Sequence, residues 1–273
     1  MSRTRRPNGG DQLAQALRPD PTVGVVSILE TSANSDYQSL QVSYTQRFSS
    51  SLQLRAAYTY SKFLDEVSDI TTSNTGIDRR LIPFDERRLF LDRGVSDYHI
   101  PHTLTFTYLY RVPFFRNNDL AGKLLGGWTV SGITTLRSGL PYTLYTGMNT
   151  PLGENNQRPN DIAGSLLLNL APGQAIGFAP GFTALSLRPA TGTFGNFGRN
   201  TERGDNYFET NVSLQKDFRF SERLRAQIRG EIFNVFNTSN FNAVDNVMTS
   251  PNFGRYTAAF DPRCAQVAVR LVF

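Results

Sequence analysis

The stretch from Arg263 to Phe273 sets the terms for this 273-residue chain. Ala265, Val267, Val269, Leu271 and Phe273 are apolar and fall on every second position, while Gln266 and Arg270 between them are polar. An extended backbone points successive side chains to opposite faces, so a period of two means a strand with one oily face. Because its last residue is aromatic, the chain is expected to finish inside a sheet. Taken alone, the strand suits either the edge of a soluble β-domain or a sheet with lipid against its oily side.

The same period recurs upstream. Leu40, Val42, Tyr44 and Phe48 alternate with Ser39, Gln41, Ser43, Thr45 and Arg47; after Ser49–Ser51, Leu52, Leu54, Ala56, Tyr58 and Tyr60 alternate with Gln53, Arg55, Thr59 and Ser61. This pair reads as a hairpin. Leu104, Phe106, Tyr108, Tyr110 and Val112 oppose Thr103, Thr105, Thr107 and Arg111. Trp128, Val130 and Leu136, with a gap at Gly132, oppose Thr129, Ser131, Thr135 and Arg137. Phe208, Val212, Leu214, Phe218 and Phe220 face away from Glu209, Asn211, Ser213, Gln215, Asp217 and Arg219. After a turn at Ser221–Arg223, Leu224, Ala226, Ile228, Gly230 and Ile232 do so from Arg225, Gln227, Arg229 and Glu231. Short turns therefore alternate with long polar connections near 62–99, 146–206 and 237–254, none with a sustained period. Sorting loops by length onto one end is the habit of outer-membrane barrels, with short periplasmic turns and long outer loops.

Composition fits. Only 39% of residues are hydrophobic, 12% are aromatic, and there are 22 Gly and 14 Pro, a profile of strands and turns. No apolar run is long enough for a membrane-spanning helix, which leaves strands untouched. The oily faces are nearly free of charge; Lys216 is the exception, expected to snorkel from its place near the Ser221 turn. Tyr58, Tyr60, Tyr108, Tyr110, Trp128, Phe218 and Phe220 are placed for an interfacial girdle. The net charge of +5 comes from cations scattered among carboxylates, with no basic run past residue 6, so no nucleic-acid partner is expected. The first residues are basic without an apolar core behind them, unlike a secretory signal. With about seven strands, an even-numbered barrel lacks at least one, supplied upstream or by the short run Val23–Leu29.

Candidate chemistry is sparse. His99 and His102, with Asp97 nearby, are three apart on an extended segment and so point to opposite faces, a poor metal site. Asp85, Glu86 and Asp92 beside Arg87, Arg88 and Arg93 read as a solvated loop network. Cys264 is alone on a polar face, with no disulfide partner in the chain. There is no nucleophile elbow, phosphate loop or zinc spacing, so neither enzyme activity nor a cofactor or metal is expected.

Several segments, in order, resemble one family: Ser32–Gln41, Tyr58–Lys62, Asp92–Asp97 with His102, Leu125–Trp128, Ser138–Tyr142, Phe194–Asn200, Phe233–Asn237 and Phe253–Arg255. Together they resemble the Oar-like TonB-dependent receptors. The resemblance implies an all-β fold, an antiparallel transmembrane β-barrel segment of about seven or eight strands with long extracellular loops, forming the carboxy-terminal part of a barrel of about 22 strands. Residues 1–35 would be an extracellular loop or partial strand and 36–273 the barrel segment, located in the cell outer membrane. The implied role is uptake of a large solute, with neither plug nor TonB box within this sequence. The implied partners are outer-membrane lipid, the barrel-assembly machinery, the remaining upstream barrel and plug, and the TonB complex only through that plug. Candidate solute contacts are Arg137 and Arg229 on the wall and Arg199 and Arg203 in the loops, within the regions Asn196–Arg203 and Phe241–Tyr256. Val269, Leu271 and Phe273, with Trp128, are expected to act as assembly signal and membrane anchor. The alternatives are a self-contained eight-stranded barrel with a structural or adhesive role, and a soluble β-sandwich binding module.

Overall fold

A computed structural model describes residues 2–5, 26–29, 31–68, 84–85, 88–114, 122, 125–151, 156–168, 170–219, 221 and 224–273. The strands among them are β1 (Ser2–Arg5), β2 (Val26–Leu29), β3 (Ser35–Arg47), β4 (Leu52–Asp65), β5 (Gly94–Val95), β6 (His102–Arg111), β7 (Trp128–Arg137) and β8 (Pro141–Tyr142). They continue with β9 (Leu166–Leu168), β10 (Ile176–Phe178), β11 (Glu202–Arg203), β12 (Tyr207–Arg219), β13 (Arg225–Phe233), β14 (Phe241–Val244), β15 (Tyr256–Ala259) and β16 (Cys264–Val272). The long strands form one antiparallel sheet in the order β16, β13, β12, β7, β6, β4, β3, with β5 joined to β4. They run 9 to 14 residues, and about 9–11 tilted residues cross a bilayer.

Register settles the faces. Val42, Tyr58, Leu104, Leu136 and Phe208 stand opposite one another across neighbouring strands. Lower down, Leu52, Tyr110, Val130, Leu214, Gly230 and Val267 do the same. Within the paired strands, the apolar residues read from alternation thus land on one side of the sheet; Phe220 lies outside the described residues. Tyr44, Phe106 and Val269 remain 61%, 37% and 64% exposed. Among the described residues the buried apolar side chains are Phe84, Leu144, Ala175, Ile176, Ala179, Leu187, Phe197, Ala226 and Met248, and of these only Ala226 belongs to a long strand. Among the described residues no layer packs on the oily face, as a sheet that meets hydrocarbon requires.

Details of that face obey the rule that polar groups in lipid must be paired. Thr134 and Thr210, opposite each other on β7 and β12, share a hydroxyl–hydroxyl hydrogen bond of 3.0 Å. Gly132 gives space to a neighbour: a Cβ there would lie 2.5 Å from the Tyr108 hydroxyl, so the phenol ring lies across the strand where a side chain would stand. Lys216 is buried, not extended toward water, with its ammonium 4.9 Å from the Phe218 ring centre and 5.4 Å from that of Trp128. Cation–π attraction offsets part of its desolvation.

The connections sort by end, as expected. Residues 48–51, 112–127 and 220–224 link strands at one end; 66–101, 138–206 and 234–263 link them at the other. Two expectations are corrected. The described part of the Val23–Leu29 run, β2, pairs with β1 in a separate two-stranded sheet and is not an eighth strand of the wall; Val23–Val25 lie outside the described residues. The long loops, read as lacking regular structure, carry β5 and the pairs β8–β11, β9–β10 and β14–β15, and hold most of the buried apolar side chains.

Adjacent residues of β12 provide the control for this geometry. Leu214→Arg, on the lipid side, is expected to destabilise the folded protein by about 2–4 kcal/mol, whereas Ser213→Arg, on the opposite face, changes it little. Urea titration of the heat-modifiable form in lipid vesicles measures both.

Candidate functional site: an interlocked loop cap

Apolar side chains that have no place on a two-faced strand collect where the three long loops meet. Leu144, Ile176 and Phe197 are buried together, with Tyr142, Leu166 and Phe253 packed against them. Burying each large side chain is worth about 1.5–3 kcal/mol. Backbones approach closely here: Gly254 has φ +76°, and a Cβ on it would fall 1.7 Å from the Ile176 carbonyl oxygen, so glycine is required.

Asn200, in the left-handed region at φ 56°, ties the first two loops together. Its Nδ2 donates to the Val95 carbonyl (2.7 Å) and to Asp97 Oδ1 (2.5 Å), while its Oδ1 accepts from the Thr143 hydroxyl (2.8 Å). Asn246, from the third loop, donates to the Thr143 carbonyl at 2.8 Å. Buried ion pairs complete the lock. Arg158 pairs with Asp92 and lies 4.2 Å from the Phe84 ring centre; Arg199 pairs with Asp65 and donates to the Asp65 carbonyl at 2.8 Å. Asp92 therefore belongs to a dry inter-loop pair and not to a solvated network, a correction to the sequence reading; Asp85, though it pairs locally with Arg88 (2.7 Å), is also buried, and Glu86 and Arg87 lie outside the described residues.

Burial sets the electrostatics. Desolvation raises the Asp92 carboxyl and lowers the Arg158 guanidinium, and their mutual attraction opposes both shifts. Desolvation also raises Glu202 and, with the nearby Arg203 and Lys62, lowers His99. His99 Nδ1 accepts from the Phe63 backbone N–H at 3.3 Å, while His102 Nδ1 meets the Tyr58 hydroxyl at 2.7 Å. The two histidines thus serve different neighbours, and among the described residues no group of three His, Cys, Asp or Glu is arranged to hold a metal.

The candidate contacts separate into two environments. Arg199 is enclosed in its ion pair, and Arg203 is half-buried, donating to the Gly139 carbonyl at 3.1 Å. Arg137 sits on the inner face near the loop end, 4.1 Å from the Tyr207 ring centre and 5.4 Å from that of Phe260. Arg229 lies lower on that face, 3.6 Å from Glu231. Val269 and Leu271 line the outer face at the sheet's edge, Phe273 follows the end of β16 and is exposed, and Trp128 begins β7 at the turn end. The Asn200 hub was not foreseen; its one sequence signal is its position in the Phe194–Asn200 segment.

A one-faced sheet of membrane-spanning length with folded loops at one end defines an outer-membrane β-barrel wall. The match to a family model confirms that class: residues 6–266 match the outer membrane beta barrel domain, and the chain belongs to that family and resides in the outer membrane. No curated protein matches the chain in sequence. Among solved structures it is similar to FpvA of P. aeruginosa, in a complex with heterologous pyoverdine and iron, at 13% identity and a TM-score of 0.38. That similarity covers 96% of this chain, which spans 22% of the length of FpvA.

Two outcomes test the lock. Arg199→Met strands the Asp65 carboxylate in a dry site and should cost about 3–5 kcal/mol, seen as faster hydrogen exchange in 138–206 with the sheet unchanged. His99, lowered from 6.5, contributes stability that is complete above that value and is lost as pH falls through its folded-state value. Once corrected for the intrinsic pH dependence of amide exchange, protection in 88–101 should therefore fall as pH is lowered from about 7 to about 5, and His99→Gln should flatten that fall.

Proposed function

We propose that this chain is part of the wall and cap of a TonB-dependent, Oar-like importer, contributing loops that capture a large solute and an inner face past which it moves. The observation that carries this reading is the pairing of an interlocked outer cap with an inner face that stays polar. Arg55, Arg111, Arg229 and Arg270 are exposed there, on strands whose opposite side is oily. A polar, basic inner wall suits the passage of a solute. Catalysis is not part of the proposal.

The direction of the strands supports a larger assembly. β3 and β16 both run from the loop end to the turn end, so neither their mutual pairing nor a second copy in the same membrane closes the sheet antiparallel. An odd number of further strands does, as in a barrel of about 22 strands. Direction alone would also be satisfied by one further strand; what favours the carboxy-terminal segment of a receptor over a self-contained eight-stranded barrel is that β2, the short run offered for that place, pairs with β1 outside the wall. In that assembly Arg137 and Arg229 line the passage, and Arg199 and Arg203 hold the cap in its capturing shape.

A strain lacking the gene, supplied in turn with ferric chelates, oligosaccharides and peptides as limiting nutrients, should lose growth on one class. The loss should be reproduced by a protonophore and by the Arg199→Ala, Arg203→Ala double variant at unchanged surface abundance. Growth retained on every class, or uptake indifferent to the protonophore, contradicts the proposal.

A further inference from the structure

A half-open pocket of about 320 Å³ lies where all three long loops converge. Its size is at the low end for a small-molecule site. The first loop contributes Asp97, the second the strand through Tyr142 and the corner at Asp205, and the third β14 and Tyr256. None of the lining residues is Lys, Arg or His, while two carboxylates are present. Phosphates and carboxylates are therefore repelled.

What remains is a mixture of aromatic faces and uncharged hydrogen-bonding groups. Phe241 and Tyr256 stack with ring centres 4.3 Å apart and planes 6° from parallel, and the Tyr142 ring joins them in the lining. The Tyr256 hydroxyl accepts from the Asp205 N–H at 2.8 Å. Burial and the Asp205 carboxylate push that phenol up to about 12, so it keeps its proton at physiological pH. The Asp205 side chain is exposed and offers acceptor oxygens. Asn242 sits where the β14–β15 register shifts, between Phe241 opposite Ala259 and Ala243 opposite Ala258. It is exposed and lines the pocket, and its side-chain amide makes no hydrogen bond to a described residue, so both donors and an acceptor are available to a ligand.

We propose that this pocket binds the end of a neutral oligosaccharide. A sugar ring has an apolar C–H face that packs on aromatic rings and closely spaced hydroxyls that each donate and accept. That combination matches rings, amide and carboxylate side by side without a cation. Because the pocket is half-open, the remaining sugar units extend into solvent. The biological role of such binding rests on the uptake reading, but the binding itself does not.

The test uses the purified full chain in a detergent without a sugar headgroup, with heat-modifiable migration verifying the fold of each variant. Saturation-transfer NMR is recorded with maltotriose, cellotriose and laminaritriose, and with inorganic phosphate and the cationic chitosan trimer as controls. At least one neutral trisaccharide should receive saturation, and Asn242→Ala and Phe241→Leu should each weaken it about tenfold. Binding of phosphate, binding of the chitosan trimer alone with its loss in Asp205→Asn, neutral binding indifferent to Asn242→Ala and Phe241→Leu, or no saturation of any neutral probe overturns the proposal. If a trisaccharide binds as expected but the gene-deleted strain grows normally on every nutrient, it is the uptake reading that fails.

Discussion

Hydrocarbon offers no partner to a backbone amide, and the fold follows from that constraint. Each N–H and C=O in the bilayer must find a partner within the protein, and antiparallel strands paired edge to edge achieve this while leaving side chains free to alternate. Alternation then divides labour residue by residue. In β12, Leu214 and Val212 meet lipid while Ser213 and Gln215 face the other way. Where a polar side chain falls on the oily side it is accommodated locally, as Thr134 is by Thr210 and Lys216 is by two aromatic rings.

A sheet of this kind has no core of its own, and the protein places its dry interior in the loops. Leu144, Ile176 and Phe197 are packed there, and the pairs Arg158–Asp92 and Arg199–Asp65 are removed from water beside them. Buried ion pairs often add little net stability over apolar residues of the same size, but losing one partner is costly. They therefore suit a cap that must hold one arrangement of three long connections. The polar inner face below and the shaped cap above are separate surfaces, joined by Arg137 at the loop end of β7.

The wall was legible in the sequence because its physics is local: a period of two in Leu104–Tyr110 or Ala265–Phe273 names the face without knowledge of any partner. The sorting of loops by length came with it. The cap was not legible. Asp92 and Arg158 are 66 residues apart, and nothing in either neighbourhood announces the other; next to Arg93, Asp92 looks like an ordinary surface charge. Asn200 and Gly254 likewise matter through close approaches made by distant chain. The short run at Val26–Leu29 misled because alternation reports a strand, not which strand it joins.

The most direct measurement concerns the faces themselves. With Cys264→Ser as background, nitroxide labels placed singly at positions 209–217 in lipid vesicles report collision with oxygen, which concentrates in hydrocarbon, and with a water-soluble nickel chelate. Oxygen contact should peak at the even positions and nickel contact at the odd ones, repeating every second residue. If neither reagent alternates, or if the even positions are shielded from both as in a dry protein interior, this account of the molecule is wrong.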